Sequence, residues 1–227
     1  MKTIIIVILL AVLCYMGFNY ATRPVAQPTT DISQSGQIEE LPADEASNEE
    51  YYRIASAESK TQFSIKETLN GKLFTAVGTT NQVAGDIVIK DADTAPLITV
   101  GVVKVDARTF KTDSEKRDGA INRFVLETET AGNEYIVFTP TSVTNPTAPI
   151  VEGTPFTFSV TGTLAISGVT KTVTLPVTAT KTTAGISGTM KTTIKRSDYD
   201  LKIPEIPFVA NVSDVFDVSG TFVAKKI

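Results

Sequence analysis

The chain has 227 residues but no histidine, no tryptophan and a single cysteine. Without histidine there is no Ser–His–Asp or Cys–His triad, no imidazole general base and no histidine-rich zinc site. Cys14 has no second thiol to pair with, so an intrachain disulfide is excluded. Aromatic residues make up 7% of the chain, too few to suggest a stacking surface. An excess of positive charge is missing as well. The net charge is −4, and it is unevenly spread: residues 22–50 carry seven acids and one arginine, whereas residues 51–227 carry nineteen Lys/Arg against eighteen Asp/Glu. A nearly neutral folded part lacks the clustered cations that neutralise phosphates, so no nucleic-acid partner is expected. The glycine-containing stretch GTTNQVAG (78–85) lacks the lysine and following helix of a phosphate-binding loop. No cofactor or metal site is indicated.

What the chain has is alternation. From Thr154 to Arg196, apolar residues recur at every second position, as in a strand with one buried face. Phe156, Phe158, Val160, Leu164 and Ile166 share one phase, with Thr and Ser on the other. After Ser167-Gly168 the pattern resumes with Val169, Val173, Leu175, Val177 and Ala179, and after Ala184-Gly185 with Ile186, Met190 and Ile194. Three strands joined by short turns make an antiparallel meander. Threonine on the second phase suits a hydrated β surface. Arg196 falls on the apolar phase of the third strand, where a guanidinium needs a partner.

In chain order, Lys2 precedes fifteen apolar or small residues, Ile4 to Phe18, the layout of an export signal. Cleavage after Ala21 would put Asn19 at −3, and cleavage after Gly17 would put Tyr15 there, so an uncleaved anchor over residues 4–21 is favoured over a removed peptide. The run spans only about 22 Å as a helix, short for a bilayer unless Asn19 to Ala21 extend it. Leu13 before Cys14 argues against a lipoprotein box. The protein is therefore expected outside the cytoplasm, in the periplasm or on the cell surface, held to the membrane by residues 4–21. Residues 22–50, rich in Pro, Ser, Thr, Gln and acid, read as a disordered linker. A β-rich domain over residues 51–227 follows. Its expected strands include YYRIAS, TQFSIKETL, Phe74–Val77, Val83–Lys90, LITVGVVKVDART, EYIVFTPTS and VFDVSGTFVA. LITVGVVKVDART is apolar on both phases, which predicts cover on both faces, the outer cover coming from the one plausible helix between Asp113 and Glu129. The segment DYDLKIPEIPFVANVSD, with two prolines, reads as a long loop or edge. About eight strands without βαβ alternation give an all-β fold, a closed antiparallel barrel or a sandwich. Such a barrel either fills with its own side chains or holds one small apolar ligand.

Six stretches in the same order resemble the YceI-like family: YRIASAESKTQFSIKE, ARTFKTDSEKRDGAI, EYIVFTPTSV, GTLAISGVTKTVTLPV, KRSDYDL and VSDVFDVSGTFVA, together covering Tyr52 to Ala224. The resemblance implies a lipocalin-like barrel associated with polyisoprenoid or other long-chain lipid binding outside the bacterial cytoplasm. One departure stands out. Many members place His two residues after the Arg-Asp pair, whereas here Arg117-Asp118 is followed by Gly119-Ala120.

A long apolar chain needs no special motif, only an apolar tunnel. The in-phase candidates for its lining are Phe63, Ile65, Phe138, Phe156, Phe158, Val160, Leu164, Met190, Ile194, Phe216 and Phe222. A charged head group would seek a cation, for which Arg108, Arg117 and Arg196 are candidates. The bland reading pairs Arg196 with Asp198 and Arg117 with Asp118 or Asp113. A filled structural or interaction domain remains the alternative, a homodimer is left open, and no enzyme is expected: an acid/base role for Glu127 and Asp118 rests on nothing but their type.

Overall fold

The computed structural model describes Gln27, Ile32, residues 48–204 and residues 207–227. The hydrophobic run Ile4–Phe18 and most of the expected linker lie outside the described residues, among which no helix is long and apolar enough to cross a membrane. Ile32, one of the few described residues of that linker, is fully buried.

The alternating stretch forms β9 (Pro155–Ile166), β10 (Val169–Thr182) and β11 (Gly185–Lys195). Along β9 burial follows the pattern strictly, with Phe158, Val160, Leu164 and Ile166 buried and the threonines partly exposed. On the outer face Thr161 and Thr174 share a hydroxyl–hydroxyl hydrogen bond of 2.9 Å. Ser167 (φ 48°) and Gly168 (φ 78°) are both left-handed, as the two-residue turn between β9 and β10 requires.

Before the meander come β1 (Glu49–Ile54), β2 (Lys60–Leu69), β3 (Lys72–Thr80), β4 (Val83–Ala84), β5 (Asp86–Lys90), β6 (Leu97–Val100), β7 (Val103–Asp106) and β8 (Tyr135–Thr144). After it come β12 (Val209–Ala210) and β13 (Val215–Lys226). The first strand thus starts at Glu49. The hydrogen-bonded path runs β4-β7-β8-β9-β10-β11-β13-β1-β5-β6, with β2 beside β13 and β3. The path closes on itself, because only Gly85 separates β4 from β5, and only Gly101 and Val102 separate β6 from β7. The sheet is an antiparallel barrel of eight composite strands: β1/β2, β3/β4/β5, β6/β7, β8, β9, β10, β11 and β13.

Two expectations about LITVGVVKVDART are corrected. It is not one strand, for Gly101 and Val102 break it into β6 and β7, which pair with β5 and β8 respectively. Nor does the helix cover its outer face. β3 pairs along its length only with β2, apart from a bridge between Thr79 and Lys111, so the wall on its other side is incomplete. The helical segment stands there: α1 (Glu115–Ala120) runs directly into a π-helical turn, Ile121–Val125. Ile121 and Val125 face the barrel interior, and Arg117 lies 5.2 Å from the Phe74 ring centroid on β3. Glycine at 119 and the widened π turn fit a plug shaped to its gap better than a regular surface helix.

Candidate functional site

The barrel encloses a cavity of about 530 Å³, within the range of small-molecule sites. Its walls are apolar: Ile54, Val83, Ile87 and Val105 from one side, Leu175 and Val177 from the other. Of the residues expected from strand phase, Phe63, Ile65, Phe138, Phe158, Val160, Leu164, Met190, Phe216 and Phe222 line it. Two do not. Phe156 sits at the start of β9, stacked on Phe158 at 6.0 Å, and packs against the core away from the lumen. Ile194 is buried in the core cluster without reaching the cavity. Alternation gives the side of the sheet a residue faces, not its depth along the barrel.

The space survives because several large rings lie flat against the wall. Phe63 faces Gly78 in register, and a Cβ there would stand 2.1 Å from the ring. Phe222 faces Gly188 in the same way, with 2.6 Å to such a Cβ, and Phe138 lies against Gly162 at 2.8 Å. Each glycine gives a phenylalanine room to fold back along the sheet. The centre is therefore left open by the residues that sequence alone would use to fill it.

One end of the barrel is shut. Glu50 shares the phase of Tyr52 and Ile54, and its carboxylate takes Lys226 at 2.8 Å and also Lys181. Burial opposes its charge, but the Lys181, Lys226 and Tyr52 side chains outweigh burial and lower its pKa to about 2. Burial, then the nearby Glu50 charge, pushes the Tyr52 phenol up. Tyr52 and Ala224 are almost completely buried alongside.

The other end is a mouth, where Asn70, Lys116 and Phe208 both line the cavity and stay exposed. Here Arg117 bonds Glu67 at 3.1 Å and also takes Asp113. The pairing with Asp113 matches one bland expectation, but Asp118 goes elsewhere, accepting from the backbone N–H and hydroxyl of Thr112 at 2.7 Å each. Arg196 lines the mouth and, instead of pairing with Asp198, donates to the carbonyls of Leu201 (2.8 Å) and Ser213 (3.4 Å). Arg108 is not at the cavity. Its guanidinium is held by Asp106 at 2.7 Å and lies 5.1 Å from the Tyr135 ring centroid, and the Asp106 hydrogen bond raises its pKa against the effect of burial. Glu127, the other carboxylate weighed for acid/base work, is exposed in a left-handed turn (φ 48°).

Sequence reasoning missed the mouth. Ile203, Pro207, Phe208, Val209 and Val212 line it from the proline-containing loop, and Leu126 joins Ile121 and Val125 from the helical plug. Glu67 was legible, since it continues the phase of Phe63 and Ile65 on β2.

Residues 52–224 match the sequence profile of the YceI-like domain. The chain belongs to the YceI-like family. Among solved structures, Burkholderia cenocepacia BcnA is 19% identical with a TM-score of 0.59, the alignment covering 76% of this chain and 99% of that one. A polyisoprenoid binding domain from Saccharophagus degradans, implicated in plant cell wall breakdown, is 17% identical with a TM-score of 0.58, covering 78% and 98%. The Campylobacter jejuni YCEI protein is 19% identical with a TM-score of 0.51, covering 66% and 84%. Identities this low establish the shared fold. No curated protein sequence matches the chain.

Proposed function

We propose that the protein holds a long-chain isoprenoid or acyl lipid in its barrel, on the outer side of the cytoplasmic membrane. The observation that carries this reading is the apolar lumen of about 530 Å³, lined at the mouth by exposed Asn70, Lys116 and Phe208 and backed at the other end by the Glu50 ion cluster. Moving a chain out of water into such a lumen gains about 0.8 kcal/mol per methylene. A filled structural domain would leave no space of that size. Membership of the YceI-like family, and the polyisoprenoid binding domain among the structural neighbours, support the same class of guest. The N-terminal run 4–21 would serve as signal or anchor, keeping the barrel near its lipid source.

Of the three arginines weighed for a head group, Arg196 fits best. Arg117 is matched by Glu67 and Asp113, and Arg108 is turned away to Asp106, whereas among the described residues Arg196 hydrogen-bonds only backbone carbonyls and meets the exposed Asp214 carboxylate only at longer range. It has charge left for a phosphate or carboxylate at the mouth. The test is mass spectrometry of organic extracts from natively purified protein. A co-purifying long-chain lipid is expected, and repeated absence of any such species would leave only an exported β-domain.

A further inference from the structure

The two most exposed large apolar side chains among the described residues are Leu73, at 93%, and Phe208, at 76%. Both stand at the mouth. Leu73 follows the Asn70-Gly71 turn between β2 and β3, and that turn is joined to the neighbouring loop by the Asn70 N–H donating to the Phe208 carbonyl at 2.8 Å. Val209 of β12 pairs with Leu69 of β2, so the two tips form one ledge.

Phe208 is doubly unfavourable for folding. Its ring is mostly in water, and its backbone holds φ 72°, a left-handed conformation that bulky residues rarely adopt. Among the described residues, packing gives no reason for an aromatic residue there. The same side chain lines the cavity, so apolar surface runs without interruption from the outside of the rim into the lumen. Exposed Lys72 adjoins Leu73 and exposed Lys116 lines the mouth, both with apolar stems and charged ends suited to a membrane interface. The closed end also exposes Leu97, Val151 and Ile227, but none of these touches the lumen.

We propose that the ledge of Leu73, Pro207 and Phe208 docks onto a lipid bilayer, mouth down, so that a guest chain passes between membrane and lumen without crossing water. The proposal rests on the lipid-holding reading of the cavity. Docking spares the guest the full exposure of its methylenes that free desorption would demand, so it sets the rate of loading more than the affinity.

The chain lacks tryptophan, so a single introduced one reports a single place. Full-length Leu73→Trp and Val151→Trp proteins, both positions outside the cavity lining, are mixed with phosphatidylcholine–phosphatidylglycerol vesicles whose acyl chains carry bromine. Each indole reports its own depth, whether or not the N-terminal run also inserts. Leu73→Trp should shift to the blue and be quenched several-fold more strongly than Val151→Trp; equal quenching, or none at residue 73, overturns the proposal. In a second arm, Leu73→Ser should slow lipid transfer between vesicles about tenfold, while the lipid extracted per chain stays the same, because Leu73 is not in the lining. Unchanged transfer overturns docking. If Leu73→Trp is quenched but the purified chain carries no lipid, the cavity reading fails and docking stands; lipid carried without quenching gives the reverse.

Discussion

The two ends of this barrel are built on opposite terms. At the closed end, Glu50 lies between Lys181 and Lys226 beside fully buried Ala224, and Gly185 lets β11 approach β13 closely. At the mouth, the chain leaves the sheet for a long loop whose Phe208 is exposed and left-handed. Stability is concentrated where no guest passes, and strain is tolerated where one would. Substitutions at the two ends should therefore change stability in opposite directions.

The largest effect is expected at Gly185. A Cβ there would stand 2.1 Å from the Ala224 carbonyl oxygen, a backbone atom with no freedom to yield. Gly185→Ala should cost about 3 kcal/mol or more, read from the midpoint of chemical unfolding; a near-neutral result would show that the closed end is not rigid. Next is Glu50→Gln, which leaves two lysines facing a neutral amide and should cost about 2 kcal/mol. Its pH dependence sharpens the test. Glu50 falls from an ordinary 4.5 to about 2 in the folded protein. Its contribution is therefore complete above about pH 4.5 and lost as pH falls towards 2, about 1–2 kcal/mol after solvent screening. The Glu50→Gln protein should lose less stability over that window than wild type, and parallel curves would show that the ion cluster does not act.

Gly78→Ala tests the wall between the ends. The added methyl would displace the Phe63 ring towards the lumen, costing about 1–2 kcal/mol and weakening retention of long chains. Retention equal to wild type would mean that the ring is not what keeps the lumen open. The smallest effect has the opposite sign. Phe208→Gly relieves the left-handed backbone and should raise stability by about 0.5–1 kcal/mol, measured by denaturant unfolding. A loss of stability there would mean that Phe208 packs as core, and the contrast between the ends would dissolve.

Much of this was legible in sequence because strand periodicity encodes one thing well, the face a side chain takes. Phe158, Val160 and Leu164 on β9, and Met190 on β11, were placed by parity alone, and Arg196 came to the apolar side as its phase requires. Depth was not encoded, so Phe156 and Ile194 were assigned to the lumen. Partners across the fold were not encoded either: Arg117 finds Glu67, fifty residues earlier, and Arg196 finds carbonyls that no motif announces. The mouth was hidden because a proline-containing loop has no period. Its signal was the unusual apolar content of IPEIPFVANV, more than a solvent loop needs. Whether the barrel was full or open turned on the glycines at 78, 162 and 188, each of which makes sense only beside the ring it faces.

The most direct test of the central claim is a chain-length series of fluorescent fatty acids titrated into the purified protein. Affinity should rise about fourfold per added methylene until the chain fills the lumen of about 530 Å³, then level off, at a single site. Affinity that does not depend on chain length would show that the barrel's interior does not receive the chain.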